Sequence, residues 1–170
     1  MVTDDLAARR VVLVPLTIHD AEEMVAVLAG DELYAFTGGR PPTLPELRAR
    51  YANQVIGHSA DGREEWRNWI IRLVTNHTAV GFVQATVVDE GQRAEVAWVI
   101  GRAWQGQGYA TEAAAALVGW LCGRGVRIVQ AHIHPDHGAS AAVARHAGLL
   151  PAGQFRDGEQ LWHKEVTPLA

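Results

Sequence analysis

With 170 residues, 48% of them apolar and 20% charged, the chain has the makings of one globular domain over residues 1–170. A formal net charge of −4 argues against a general nucleic-acid binder. The single cysteine, Cys122, excludes an intramolecular disulfide and a cysteine-built zinc cage. The opening "MVTDDLAARRVVLVPL" starts acidic, and its apolar run is too short for a signal peptide or a spanning helix, so a cytoplasmic protein with no membrane partner is expected.

In chain order, "RRVVLVPL" (9–16) reads as a valine-rich strand. Asp20 is expected to cap a helix that runs to about Ala29 and closes at Gly30. A loop over 36–43 leads to a second helix over 43–56, with Thr43 as cap and Pro45 in its first turn. Three strands follow at 65–74, 79–88 and 93–101, joined by the turn sequences "TNHT" and "DEGQ". From Gly108 the period becomes helical: Ala110, Ala113, Ala114, Leu117 and Leu121 form one stripe, ended by Gly123 and Gly125. A strand over 126–133 precedes a helix from Asp136 to Ala147, stopped by Gly148. The last strand is "LWHKEV" (161–166), with a further short one near 149–155. Hairpin strands followed by a strand–helix–strand crossover predict a mixed sheet covered by helices, α+β in class.

The stretch "QGQGYA" (105–110) lies between a strand and a helix. Gly106 and Gly108 bare the backbone, and the first helical amides have no intrahelical partners. Together with the helix dipole this suits phosphate, although a tight strand-to-helix turn explains the same residues. No lysine follows in P-loop spacing, and the next strand ends without the acid of a dinucleotide fingerprint.

Gln105-Gly106-Gln107-Gly108-Tyr109-Ala110 matches the Q/R-x-x-G-x-G/A signature of the Gcn5-related N-acetyltransferase (GNAT) superfamily. The segments "ATEAAAALVGW" and "HPDHGASAAVARHAGLL", with the opening "RRVVLVPLTIHDAEEM", resemble the branch that acetylates ribosomal-protein N-termini and its small-molecule relatives. The resemblance implies a mostly antiparallel sheet of six to seven strands flanked by about four helices. It implies a splay between the strands at 93–100 and 126–133, with acetyl-CoA in the gap. The pyrophosphate would meet the amides of Gln105, Gly106, Gln107, Gly108, Tyr109 and Ala110, and the pantetheine arm the backbone at Trp98, Val99 and Ile100. Where the family usually carries a pantetheine-binding asparagine, His137 stands, and imidazole can also donate a hydrogen bond. Ser140 takes the place of the serine that this branch often carries near the thioester sulfur, and the superfamily's frequent tyrosine acid has no equivalent on that helix.

His132, His134 and His137 are grouped, yet no carboxylate or cysteine completes a zinc set, so no metal is expected. His163 reads as a half-buried strand residue. Trp66, Trp69, Trp98 and Trp104 are divided between core packing and an acceptor pocket. Asp20, Glu22, Glu23, Asp31, Glu32 and Glu46 form either a solvated acidic face or a surface that suits a cationic amine.

The resulting expectation is an N-acetyltransferase that moves an acetyl group from acetyl-CoA to a primary amine, on a small molecule or a peptide N-terminus. Glu95, on one face with Ala97 and Val99, is the candidate general base, and Ser140 the donor to the departing thiolate. The rival is a catalytically silent CoA-binding or sensor domain on the same fold.

Overall fold

The computed structural model describes residues 5–167 of the chain. Thr43 opens helix α2 (Leu44–Gln54): its hydroxyl accepts from the Glu46 amide while the Glu46 carboxylate accepts from the Thr43 amide. That reciprocal box satisfies two donors that a helix start otherwise leaves bare. Helix α1 (Ala21–Val27) starts differently. Asp20 stands at its cap position but makes no capping bond; its carboxylate accepts from the Thr17 amide and pairs with Arg72.

Eight strands form one sheet: β1 (Leu6–Ala7), β2 (Val11–Pro15), β3 (Glu65–Leu73), β4 (Ala79–Val88), β5 (Arg93–Ile100), β6 (Ile128–Ile133), β7 (Leu150–Arg156) and β8 (Glu159–Glu165). Their order across the sheet is β1-β2-β3-β4-β5-β6-β8-β7. This is more than the six to seven expected, through the two-residue β1 and a full β7. The β3-β4-β5 meander lies where the two turn sequences put it, with a bulge between Ile71 and Arg72.

Every neighbouring pair is antiparallel except β5 with β6, which runs parallel. A parallel pair needs a crossover, and helix α3 (Tyr109–Gly123) supplies it. The β5–β6 ladder is short: Arg93 pairs with Ile128, Ala94 with Val129, Glu95 with Gln130, and there it stops. The remaining five residues of β5 and three of β6 diverge, which opens the expected splay.

Helices α3 and α4 (Gly138–His146) cover one face. Ala113, Ala114, Leu117 and Leu121, each fully buried, carry the predicted stripe of α3 onto Val83, Ala94 and Val129. The other face packs α1 and α2 on Ile70 through Ala21, Met24, Leu47 and Tyr51, with Phe82 and Val99 against them. Leu117→Ala would leave a cavity under α3 and is expected to cost about 2–5 kcal/mol, read as a lowered urea midpoint at unchanged slope. Among the described residues no helix is long and apolar enough to cross a membrane.

Candidate active site

Where β5 leaves β6, alternation fixes which backbone groups face the gap. The Gly101 amide donates to the Val80 carbonyl, while the Gln92 carbonyl accepts from Ile128. Odd-numbered residues of β5 therefore turn their amides to β4, and Val96, Trp98 and Ile100 turn theirs toward the gap. The Ile100 carbonyl accepts from the Gln105 side chain at 2.9 Å. Val99 turns its backbone to β4 and its side chain to the α1/α2 face.

The glycine loop stands at the open end of this gap. Gly106 and Gly108 both lie in the left-handed region, at φ +75° and +83°, and α3 begins at the next residue, Tyr109. Nothing lies within 4 Å of where a Gly106 side chain would start. The loop is braced by Arg10, the residue just before β2, which no sequence motif singles out. Its guanidinium donates to the Gln107 carbonyl at 2.8 Å, pairs with Glu112 and lies over the Tyr109 ring. Burial pushes the Glu112 carboxyl up, but the Arg10 amide and guanidinium outweigh it and hold the group below the usual carboxylate range. Arg10 thus offsets an acid in the first turn of α3 that would otherwise repel an anion.

Helix α4 borders the gap from the other side. The sequence placed its cap at Asp136, but the helix opens at Gly138 with His137 in the cap position. His134-Pro135-Asp136-His137 form a turn first, closed by the His137 amide on the His134 carbonyl at 2.9 Å. Proline in second place favours such a turn and delays the helix. The Trp98 indole donates to the Ser140 hydroxyl at 3.1 Å, tying β5 to α4. This fills an acceptor site on Ser140 and leaves its own proton to be donated. The His137 ring stacks on Phe36 at 4.5 Å, from the loop that leaves α1.

Burial, and secondarily His134, lower the His137 pKa below its ordinary 6.5. The folded protein then binds fewer protons here than the unfolded chain. This costs nothing at neutral pH and stability is lost as pH falls through about 6.5 and below. His137→Asn is expected to keep the KM for acetyl-CoA and to flatten the acid side of a Tm-against-pH curve. His137→Ala is expected to raise that KM; an unchanged KM would exclude the side chain from cofactor binding.

On the opposite face, at the last paired rung, Glu95 meets two residues that the sequence did not join to it. Its Oε1 lies 2.9 Å from the Arg156 guanidinium and 3.2 Å from His132 Nδ1. Oε2 makes no hydrogen bond to the described residues. His132 shows 9% of its side chain and Glu95 37%. The convergence rests on sheet order: β8 lies between β6 and β7, and the β7–β8 hairpin returns Arg156 over β6. Among the described residues no group of three or more potential ligands is placed to hold a metal ion.

The tryptophans divide. Trp69 is buried and meets Trp120 edge-on, whereas Trp66 donates to Glu64. The acidic region is largely neutralised: Glu22 pairs with Arg48, Asp20 and Glu23 with Arg72, Glu32 with Arg102, and Glu46 with Arg40.

A mixed sheet split at one parallel pair, with a bare-backbone helix start at the mouth of the split, is the architecture of the GNAT acetyltransferases. Residues 10–150 match the family model described as "Acetyltransferase (GNAT) domain", and the chain belongs to that family. It superposes on a GNAT-family acetyltransferase from Bacillus anthracis with a TM-score of 0.77 at 17% identity, covering 95% of this chain and 98% of that one. RimL, a ribosomal L7/L12 alpha-N-protein acetyltransferase in complex with coenzyme A, gives a TM-score of 0.80 at 14% identity, over 96% and 98%. The aminoglycoside acetyltransferase AAC(6')-Ib in complex with coenzyme A gives 0.74 at 20% identity, over 91% and 94%. No curated protein sequence matches the chain.

Proposed function

We propose that the protein is an N-acetyltransferase that takes its acetyl group from acetyl-CoA and gives it to a primary amine. The observation that carries this reading is the β5–β6 ladder that ends at Glu95↔Gln130. It leaves a row of strand amides and carbonyls with no strand to pair, beside a helix start entered through Gly106 and Gly108. A strand-like arm ending in an anion fits both features: amide groups for the strand edge, phosphates for the loop. The chemistry that acetyl-CoA supplies is an acyl group on a good leaving group.

The chain's own residues do the rest. The amides of Gln105–Ala110 bind the pyrophosphate, and the gap-facing edge of Val96, Trp98 and Ile100 aligns the arm. The Trp98 amide is the oxyanion donor, Ser140 holds a proton for the thiolate, and His137 steadies the arm from α4. Glu95 Oε2 takes the proton from the attacking amine, while Arg156 fixes Oε1 and His132 lies against both. Two superposed proteins act on amines, a ribosomal-protein N-terminus and an aminoglycoside by their names, which supports an amine acceptor. The test is release of free thiol from acetyl-CoA across a panel of amines and peptides, with products read by mass spectrometry. Amine-dependent release with an acetylated amine is expected. CoA binding with no turnover on any amine would instead make the domain a silent sensor.

A further inference from the structure

The face of the sheet that carries Glu95 also holds a cavity of about 110 Å³ between α2 and strands β3–β4. Its floor is apolar, with Ile70 and Phe82. Among them stand the carboxamides of Asn68 and Gln84, neither with a side-chain hydrogen bond among the described residues. Tyr51 lines it from α2. Tyr51 is 4% exposed, and its hydroxyl is buried with no hydrogen-bond partner. A buried hydroxyl left unpaired destabilises a fold unless something else pairs with it. Burial and then the nearby Asp20 charge push the Tyr51 pKa well above the usual tyrosine range, so the group stays a donor.

Among the residues that line the cavity the charge has one sign, and nearby Asp20 is paired with Arg72. Arg50 lines it, is exposed, and makes no ion pair among the described residues. No acid lines it. The nearby acids of α1 and α2 are already paired with Arg40, Arg48 and Arg72. The cavity also lies at a workable distance. Gln84 is in register with Ala97, two residues along β5 from Glu95. With strands about 4.8 Å apart and a rise of about 3.4 Å per residue, Glu95 and Gln84 are roughly 8 Å apart on the same face.

We infer that this cavity seats the far end of the acceptor, and that the acceptor is an amine bearing a carboxylate, of amino-acid type, rather than a polycation. The inference rests on the acetyltransferase reading above. Arg50 pairs with the carboxylate, Tyr51 donates to it, and Asn68 and Gln84 bind its polar neighbours. The amine then reaches Glu95 across the span of a short chain. A second cation at that end would meet Arg50 and find no anion to offset it.

The experiment compares 5-aminopentanoate with cadaverine, its diamine counterpart, and with the next shorter and longer member of each series. Acetyl transfer is followed by thiol release, and CoA binding is titrated separately. The wild type is expected to show a kcat/KM at least about tenfold higher for the amino acids. Arg50→Gln is expected to erase most of that margin by raising KM for the amino acids while leaving the diamines unchanged. Tyr51→Phe, which keeps the packing, is expected to raise the same KM without changing CoA affinity. Diamines that match or exceed the amino acids overturn the inference, as does Arg50→Gln acting equally on both series. CoA binding with no turnover on either series, but turnover on another amine, also overturns it. Absence of CoA binding sinks the acetyltransferase reading itself.

Discussion

Gly108→Asp is expected to weaken CoA binding by about 100-fold or more while the protein stays folded. Gly108 sits at φ +83°, a conformation that costs a residue with a side chain roughly 1–2 kcal/mol. Its new Cβ would start 3.0 Å from the Arg10 guanidinium, in a loop otherwise open to solvent. The carboxylate therefore has two effects. It places an anion at the proposed phosphate site, and it draws Arg10 away from Gln107 and Glu112. Each charge-assisted hydrogen bond is worth about 1.5–3 kcal/mol, so losing one or two gives the stated factor. Gly108→Ala separates the causes: it carries the backbone strain without the charge, and is expected to lose much less affinity. Calorimetric titration of CoA, with circular dichroism as the fold control, reads both. A folded Gly108→Asp protein with wild-type affinity would place the phosphates elsewhere.

Glu95→Gln is expected to lower kcat by roughly 100-fold or more for an alkylamine at neutral pH, in the range of a lost general base. An alkylamine has a pKa near ~10.4, so its neutral form costs roughly 4.6 kcal/mol at pH 7. A peptide α-amine near ~8 costs about one pH unit, so its loss should be smaller. The glutamine keeps an oxygen that can accept from Arg156, although the charge is lost; what disappears is the carboxylate oxygen proposed to take the proton. The defect should shrink as pH rises and the free amine becomes abundant. Ser140→Ala should cost less, because CoA thiolate, with a pKa near ~8.5, leaves with modest help. Wild-type kcat in Glu95→Gln, with an alkylamine at neutral pH, would remove Glu95 from proton transfer.

Much of this architecture was legible in the chain. The strand-like runs between the turn sequences "TNHT" and "DEGQ" placed β3, β4 and β5, and the alanine-leucine stripe placed the buried face of α3. The glycine signature placed the loop at the split. Local pattern failed where a competing local bond won. Asp136 looks like a helix cap, yet Pro135 closes a turn first and passes the cap position to His137. Asp20 holds the cap position, yet its carboxylate is taken by Thr17 and Arg72.

The site was legible only in part, for a reason of topology. Val96, Trp98 and Ile100 face the gap by parity, which needs the direction of one observed bond to fix. Arg10 reaches the glycine loop because β2 lies beneath the start of α3, nearly a hundred residues on. His132 reads in sequence as a member of a histidine cluster; the fold turns it to Glu95 instead. Arg156 joins them through the β6-β8-β7 order, which no local pattern encodes. The acidic stretch left a solvated face and a cation-binding face both open because two of its partners are also distant: Arg72 lies on β3 and Arg102 beyond β5.

The central claim is that CoA occupies the split between β5 and β6, with its phosphates on the glycine loop. Amide hydrogen exchange with and without CoA tests it most directly. The account predicts slowed exchange at Val96, Trp98 and Ile100 and over 105–110, and little change at the Tyr51 cavity. Protection confined to the α1/α2 face, with Trp98 and the glycine loop unchanged, would contradict it.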